Sequence, residues 1–509
     1  MMLSRCLGTA VLVALLASCG GGGGGGGAAA PAPTGTSGGT DPATGGGATG
    51  GTGGTGGGTD LGISGSGAPI AYGTIDGFGS IFVNGIEFNT DNAAIFVDGQ
   101  PANELDLSVG MVVSVEGTIN ADGVTGEATV VIFDNELKGP VQAIALDAQG
   151  DVMTITILGV NVTVDRIATT FENTTFDTLA VGDFVEISGF PEGLTDLRAT
   201  HLEKRQEVYV EGETEVEIEG TISALTDTTF QLRTYTVDYT GADLTEVADS
   251  TLLEGMYVEV KGTLSGDQLI ATEVEEERSF SDSLEADDDF SLQGAVTNYV
   301  DDSSFEIAGV PIDASNAVKK PSALTIANGV LLEVEGTWDG DILIATEIEA
   351  REGELKLEAS VDSVDLDQSI VTLRLATGTV QVLVDSRTRF DDDVSDLRNF
   401  GLADLSAGDF VEVEAYLNGG QLLATELDRD DADDEVVKAP VDSSNPNIEI
   451  TLLGLTYNVQ GAEFKDKSDR DVDAASFFAQ LNTGDMVRIK DERPADGIAD
   501  KVSFDVEDD

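Results

Sequence analysis

A short run of alternating apolar and polar residues recurs six times along this chain. It reads Gly110-Met-Val-Val-Ser-Val-Glu-Gly117, Gly182-Asp-Phe-Val-Glu-Ile-Ser-Gly189 and Gly255-Met-Tyr-Val-Glu-Val-Lys-Gly262. It returns as Gly329-Val-Leu-Leu-Glu-Val-Glu-Gly336, Gly408-Asp-Phe-Val-Glu-Val-Glu-Ala415 and Gly484-Asp-Met-Val-Arg-Ile-Lys-Asp491. The leading glycines are 72, 73, 74, 79 and 76 residues apart, so the pattern marks a tandem array. A period of two is that of a strand with one face buried. Val258, Val260, Leu332, Val334, Val411 and Val413 are expected in a core, and Glu259, Lys261, Glu333, Glu335, Glu412 and Glu414 on a solvated face.

A second alternating run follows each first one. The clearest copies are Ala271-Thr-Glu-Val-Glu275, Ala345-Thr-Glu-Ile-Glu349 and Ala424-Thr-Glu-Leu-Asp428. Ser265-Gly266, Asp339-Gly340 and Asn418-Gly419 lie between the runs, which makes each pair a β-hairpin. Two further strands open each unit. In the first unit they meet at Asn84-Gly85, a pair that tolerates positive φ and so favours a type I′ turn. Ala474 to Leu481 has the pattern of a helical turn, with Gly484 as its stop.

Each unit of 70–78 residues therefore holds four or five short strands and about one helical turn. The expected fold class is all-β: a tandem array of about six small five-stranded OB-like antiparallel barrels. Closure removes sheet edges, which six adjacent β units would otherwise expose. The competing β-solenoid has shorter repeats. The units are placed at 68–137, 138–207, 208–278, 279–352, 353–431 and 432–509. Six such units in one chain imply an acidic rod or string.

The segment before the array has no such pattern. Residues 1–18 carry Arg5 and an apolar stretch from Leu7 to Ala17 that is too short to span a bilayer. They end at Leu16-Ala17-Ser18-Cys19, with small residues flanking the expected cut and one thiol at the new terminus. This resembles a bacterial lipoprotein signal peptide, with Cys19 as the lipidation site. Gly20 after the Cys fits outer-membrane sorting, facing the periplasm or the cell surface. Acyl chains add about 0.8 kcal/mol per buried methylene, so two or three hold a protein firmly. Residues 20–67 are Gly, Ala, Thr and Pro with two charges, Asp41 and Asp60. Such a linker buries no core, and as a coil its r.m.s. span is roughly 35–40 Å. Removal of the signal peptide takes away Cys6 and leaves no partner for a disulfide.

Three pieces of sequence carry a family resemblance: Gly77-Phe-Gly-Ser-Ile-Phe-Val-Asn-Gly85, Val109-Gly-Met-Val-Val-Ser-Val-Glu-Gly117, and Leu137-Lys-Gly-Pro-Val141. Together they resemble the bacterial domain of unknown function 5666 family, found in signal-bearing, often lipidated envelope proteins. The resemblance is closest over residues 70–206. It implies tandem OB-like domains and brings no established activity and no catalytic residues.

Charge narrows the function. The body from 68 onward carries 25 basic and 92 acidic residues. A polyanion of that density repels phosphate, so nucleic acid is not an expected partner. Such a field opposes compaction unless salt screens it. His201 is the only His and sits where other copies carry Glu273, Glu347 and Glu426, which marks it as a solvated strand residue. One His and a lipidated Cys leave no set for zinc or for nucleophilic triads, and no phosphate-loop or dinucleotide motif is present. Trp338, the sole Trp, is expected to pack over a barrel end. The runs Asp287-Asp288-Asp289, Asp391-Asp392-Asp393 and Asp430 to Glu435 match no EF-hand loop and read as solvated charge. No catalytic, cofactor or metal residue is assigned.

The chain thus reads as a non-enzymatic, acidic envelope lipoprotein that presents tandem barrels for binding or scaffolding. The expected partners are the membrane through the lipid, and a cationic protein surface, a divalent cation or a glycan. Two alternatives stay open: a carboxylate-based hydrolase or glycan-active enzyme, and a Ca²⁺-stiffened adhesin or matrix protein. An enzyme would need one concave, unit-specific pocket with converging polar groups.

Overall fold

The computed structural model describes residues 69–504, apart from 148–149, 193–195, 207, 277–283, 285–288, 352, 396, 419 and 469. The proposed signal peptide, Cys19, the linker, and Asp287 and Asp288 lie outside the described residues.

Each repeat folds as one barrel. In barrel 1 the strands are Pro69–Phe78, Ile81–Val83, Ile86–Asn89, Val112–Ile119 and Thr125–Phe133. The first pairs with the second and the fourth, the second with the third, and the fourth with the fifth, all antiparallel. The third pairs with the fifth in parallel and closes the ring in the order 1-2-3-5-4. That is the order of an OB-type barrel. Barrels 2, 3, 4 and 5 repeat this parallel closure. In barrel 6 a single isolated parallel bridge, Asn458 with Ile498, spans the same seam.

The two glycines of the recurring motif have separate causes. The leading one has φ of 83°, 96°, 88°, 87°, 99° and 89° in the six copies, a left-handed turn into the fourth strand that favours glycine. The trailing one sits at a β-bulge in barrels 1 to 4, where the fourth strand slips against the fifth. A Cβ on Gly117, Gly189, Gly262 or Gly336 would lie 2.1, 1.9, 2.3 or 2.4 Å from a backbone oxygen of the fifth strand. The Asn84-Gly85 turn has the expected positive φ at both residues. Leu158-Gly159, Ala308-Gly309 and Leu453-Gly454 keep that geometry with an apolar first residue. The short helix of barrel 6 is Ala474–Phe478, capped by the Asp473 carboxylate, which accepts from the Ser476 N–H.

The apolar positions of the repeat are core throughout: Val258, Val260, Leu332, Val334, Val411 and Val413 are fully buried. Trp338 ends its strand buried in the core of barrel 4, opposite Leu343.

The barrels do not form a string. They join in three pairs, each through its first strand. Lys138 and Leu137 of barrel 2 pair antiparallel with Glu217 and Ile218 of barrel 3. Lys356 to Glu358 of barrel 5 pair antiparallel with Val436 to Lys438 of barrel 6. Barrel 1 skips two neighbours in sequence: Ala71 and Tyr72 pair in parallel with Ser291 and Leu292 of barrel 4. Val112, Phe190, Ala295 and Leu331 then form a small apolar core shared by barrels 1, 2 and 4. The described residues belong to one compact unit. The rod expectation fails because alternation shows which face of a strand is polar, not whether that face meets water.

Candidate functional site

Two features stand out from the repeated barrel. The first is a set of charged junctions between barrels, built on the polar face of the repeat. That face was expected to be solvated. Instead Glu259, Glu333 and Glu412 are all buried.

At the meeting of barrels 1, 4 and 5, Arg351 directly follows the fifth strand of barrel 4, Leu343–Ala350. Its guanidinium lies 2.7 Å from the Asp76 carboxylate of barrel 1 and 3.4 Å from Glu333. Arg387 of barrel 5 reaches Glu333 at 3.3 Å, Glu335 at 2.6 Å and Glu349 at 3.2 Å. The Tyr416 hydroxyl donates to Glu349 at 2.7 Å. Burial pushes Glu333 up to about 7, against the downward pull of Arg387 and Arg351.

A second junction joins barrels 2, 5 and 6. Asp151, in the first turn of barrel 2, lies 3.6 Å from Lys356 of barrel 5 and contacts Arg488 of barrel 6. Lys356 also faces Glu358 at 3.3 Å and Glu412 at 3.7 Å. Burial, then repulsion from Glu358, pushes Glu412 up to about 8.

At the third, Arg389 of barrel 5 donates to the Ala168 carbonyl of barrel 2 at 2.6 Å and pairs with Glu426. Burial raises Glu426 to about 8 despite that pair.

His201 belongs to a neighbouring seam, between barrels 1 and 2, and it is 4% exposed. Its assignment as a solvated strand residue is therefore corrected. Nδ1 lies 3.1 Å from the Val109 carbonyl of barrel 1 and 2.9 Å from the Thr170 hydroxyl. A carbonyl needs a donor, which a neutral imidazole supplies and an ionised glutamate does not. Burial lowers the His201 pKa to about 4, so the ring is neutral at physiological pH.

In two of the acidic runs, expected as solvated charge, carboxylates have structural roles: Asp392 is buried and Asp434 is ion-paired. Burial pushes Asp392 up, but the Arg429 guanidinium and backbone N–H groups outweigh it and hold its carboxyl below the usual range. Asp434 accepts from the Arg493 N–H and pairs with Lys490, each at 2.7 Å. Among the described residues no group of three or more His, Cys, Asp or Glu side chains is arranged to hold a metal ion.

The second feature is a cleft confined to barrel 6. One cavity of about 380 Å³ is lined by Arg488, Lys490, Lys501 and Ser503 on the sheet, with Gly461, Glu463, Glu492 and Asp500 at its edge. A second, of about 590 Å³, shares Gly461 and Glu463 and continues past Val459, Phe464 and Val472. Sequence reasoning missed the cleft. The available signal was the density of basic residues after 484, with Arg488, Lys490, Arg493 and Lys501 close together in a chain of 94 acids and 26 bases.

Opposite effects of salt follow from this charge arrangement. Junction pairs are buried and weakly screened, whereas repulsion among exposed carboxylates is strongly screened. The melting temperature is expected to rise between about 10 mM and about 500 mM NaCl, as the Debye length falls from roughly 30 Å to a few Å. A flat or falling midpoint in differential scanning fluorimetry would show that the exposed field does not strain the fold.

The family model described as domain of unknown function (DUF5666) matches five times, at residues 72–130, 138–203, 219–275, 293–349 and 358–428. These are barrels 1 to 5; barrel 6, which carries the cleft, lies beyond the last match. No curated protein matches the chain.

Proposed function

From its membership of the DUF5666 family, whose model covers more than half of the chain, we propose that this protein is a non-enzymatic, acidic lipoprotein of the bacterial envelope. Cys19 carries the lipid, residues 20–67 are the tether, and the six-barrel body is a rigid scaffold that presents an acidic surface. The observation that carries the scaffold reading is the placement of cations. Lys138, Arg351, Lys356, Arg387, Arg389 and Arg488 are all engaged by carboxylates at barrel junctions. Positive charge is thereby concentrated where barrels meet, and the acidic excess falls on the remaining surface. Such a surface suits a basic protein partner and raises its rate of encounter. The outer membrane is the expected location because Gly20, not Asp, follows the lipidation site.

The anchoring half of the proposal is tested with Cys19→Ser. The unaltered protein is expected in the membrane fraction with incorporated palmitate, and the variant in the soluble fraction without it. Unchanged partition or labelling of the variant would remove the lipid anchor.

A further inference from the structure

One threonine of the repeat breaks the rule that the others keep. Thr129, Thr200, Thr272, Thr346 and Thr425 hold the same place in barrels 1 to 5, each directly after an alanine of the second alternating run. Each is the extra residue of the β-bulge on its fifth strand. In barrels 1 to 4 its hydroxyl donates to a backbone carbonyl of the fourth strand: Glu116 at 3.2 Å, Ser188 at 3.3 Å, Lys261 at 3.0 Å and Glu335 at 3.1 Å. Thr200 shares its hydroxyl with the Gly110 carbonyl of barrel 1 at 2.6 Å. The equivalent fourth-strand residue in barrel 5 is Glu414. Thr425 makes no bond to its carbonyl. The Thr425 Oγ1 is buried and has no hydrogen-bond partner among the described residues.

A second unsatisfied donor belongs to the same place. Arg389, itself buried, spends one terminal nitrogen on the Ala168 carbonyl of barrel 2 and on Glu426. Its Nε–H has no acceptor among the described residues. Thr425 and Arg389 line one cavity of about 20 Å³ where barrels 2, 4 and 5 meet, with Asp165 and Arg198 of barrel 2, Arg351 of barrel 4, and Glu426. Buried donors without acceptors are costly and rare, so two at one cavity need a common acceptor. The cations there are already matched: Arg351 by Asp76 and Glu333, Arg198 by Glu192, and Arg389 by Glu426. No excess of positive charge calls for an anion, and the acceptor has to be neutral and small. A water needs about 10–15 Å³ of such space and two to four polar partners.

We infer that this cavity is a binding site for one ordered water, which accepts from the Arg389 Nε–H and the Thr425 hydroxyl and donates to the lining carboxyl groups of Asp165 and Glu426. Water alone among small neutral ligands offers two acceptor and two donor positions in that volume. It ties barrel 5 to barrel 2 beside the direct bond from Arg389 to Ala168. Thr425 thus gives up the carbonyl that its counterparts bind and serves the junction instead.

The test is a crystal structure of the whole chain, grown in bromide and at a resolution that shows ordered solvent, with data collected at the bromine absorption edge. One oxygen peak is expected within about 3.2 Å of both Arg389 Nε and Thr425 Oγ1, with no anomalous signal. Thr425→Ser keeps the hydroxyl and is expected to keep the peak. Thr425→Val keeps the shape, removes the hydroxyl and is expected to lose the peak. An anomalous bromide peak at that position would make the occupant an anion and overturn the inference. So would a cavity without density, a Thr425 hydroxyl bonded to the Glu414 carbonyl as in the other barrels, or an unchanged peak in Thr425→Val. Should the valine variant not fold, the structure of the unaltered protein decides by itself.

Discussion

Arg351→Met is expected to destabilise the junction of barrels 1, 4 and 5 by about 3–5 kcal/mol, the cost of removing one partner from a buried ion pair. The Asp76 and Glu333 side chains are each 1% exposed, so neither can recover its lost contact from water. Glu333 keeps Arg387, and Asp76 keeps the Thr74 hydroxyl, which donates to it at 2.9 Å. Asp76→Asn in the Arg351→Met background removes the stranded charge and is expected to cost less than Arg351→Met alone, which a double-mutant cycle measures directly. The backbone link between barrels 1 and 4 spans two residue pairs, supported by Thr74 donating to Gln293 and by the shared apolar core, so loss of the side-chain junction is expected to loosen these barrels against each other. A chain of several units does not unfold in two states, so the measurement is the lowest-temperature transition in calorimetry, together with the radius of gyration. An unchanged first transition, or a double variant worse than the single, would show that Arg351 does not join these barrels.

The barrel itself was legible in the sequence because its rules are local. Glycine at 110, 182, 255, 329, 408 and 484 reports a left-handed turn, and alternation reports the buried face; both survive in any assembly of the barrels. The trailing glycine was equally visible, but its cause was not. Its need comes from a neighbouring strand's oxygen, a contact between residues about ten apart at the bulge. The assembly was hidden for a different reason. Glu333 and Glu335 look alike in sequence, yet the first is 1% exposed at its side chain and the second 40%. Arg387 of the next barrel reaches both; Glu333 also meets Arg351, which pairs with Asp76 of barrel 1, so the difference is set by residues far away in the chain. His201 shows the same limit: its partner is a carbonyl of barrel 1, 92 residues earlier, and nothing near it in the chain announces that contact. The first cavity of barrel 6 lies over the outward faces of two strands that are paired across a loop, and that juxtaposition leaves no periodic mark in the sequence.

The buried junction glutamates also set an unusual dependence on pH. Burial is the first cause for all three. Glu333, at about 7, faces Arg387, Arg351, Glu349 and Glu335. Glu412, at about 8, faces Glu358, Lys356, Asp430 and Arg166. Glu426, at about 8, faces Arg389, Asp165 and Asp391. Their pKa values are higher in the folded chain than in the unfolded one, so folding binds protons. Their contribution to stability is complete below the unfolded value near 4.5 and is lost as pH rises through 7 to 8. His201 works the other way: its folded pKa is lowered from 6.5 to about 4, so its contribution is present above 6.5 and is lost as pH falls toward 4. Burial also raises Asp134, Glu259 and Asp428, so the carboxylates that gain protons on folding outnumber His201, and protonation in this range also relieves repulsion in a strongly acidic chain. The melting temperature is therefore expected to climb as pH falls from about 8.5 to about 5.5, the reverse of ordinary acid lability, and to turn down below about 4, where paired carboxylates such as Asp392 lose their charge. Glu412→Gln and Glu426→Gln together mimic the protonated junctions and are expected to flatten the rise between pH 5.5 and 8.5 while His201→Gln leaves it in place. A midpoint that falls steadily with acidification across that window, or a double variant with the slope of the unaltered protein, would mean that these glutamates are ionised in the junctions and that the arginines, not protons, neutralise them.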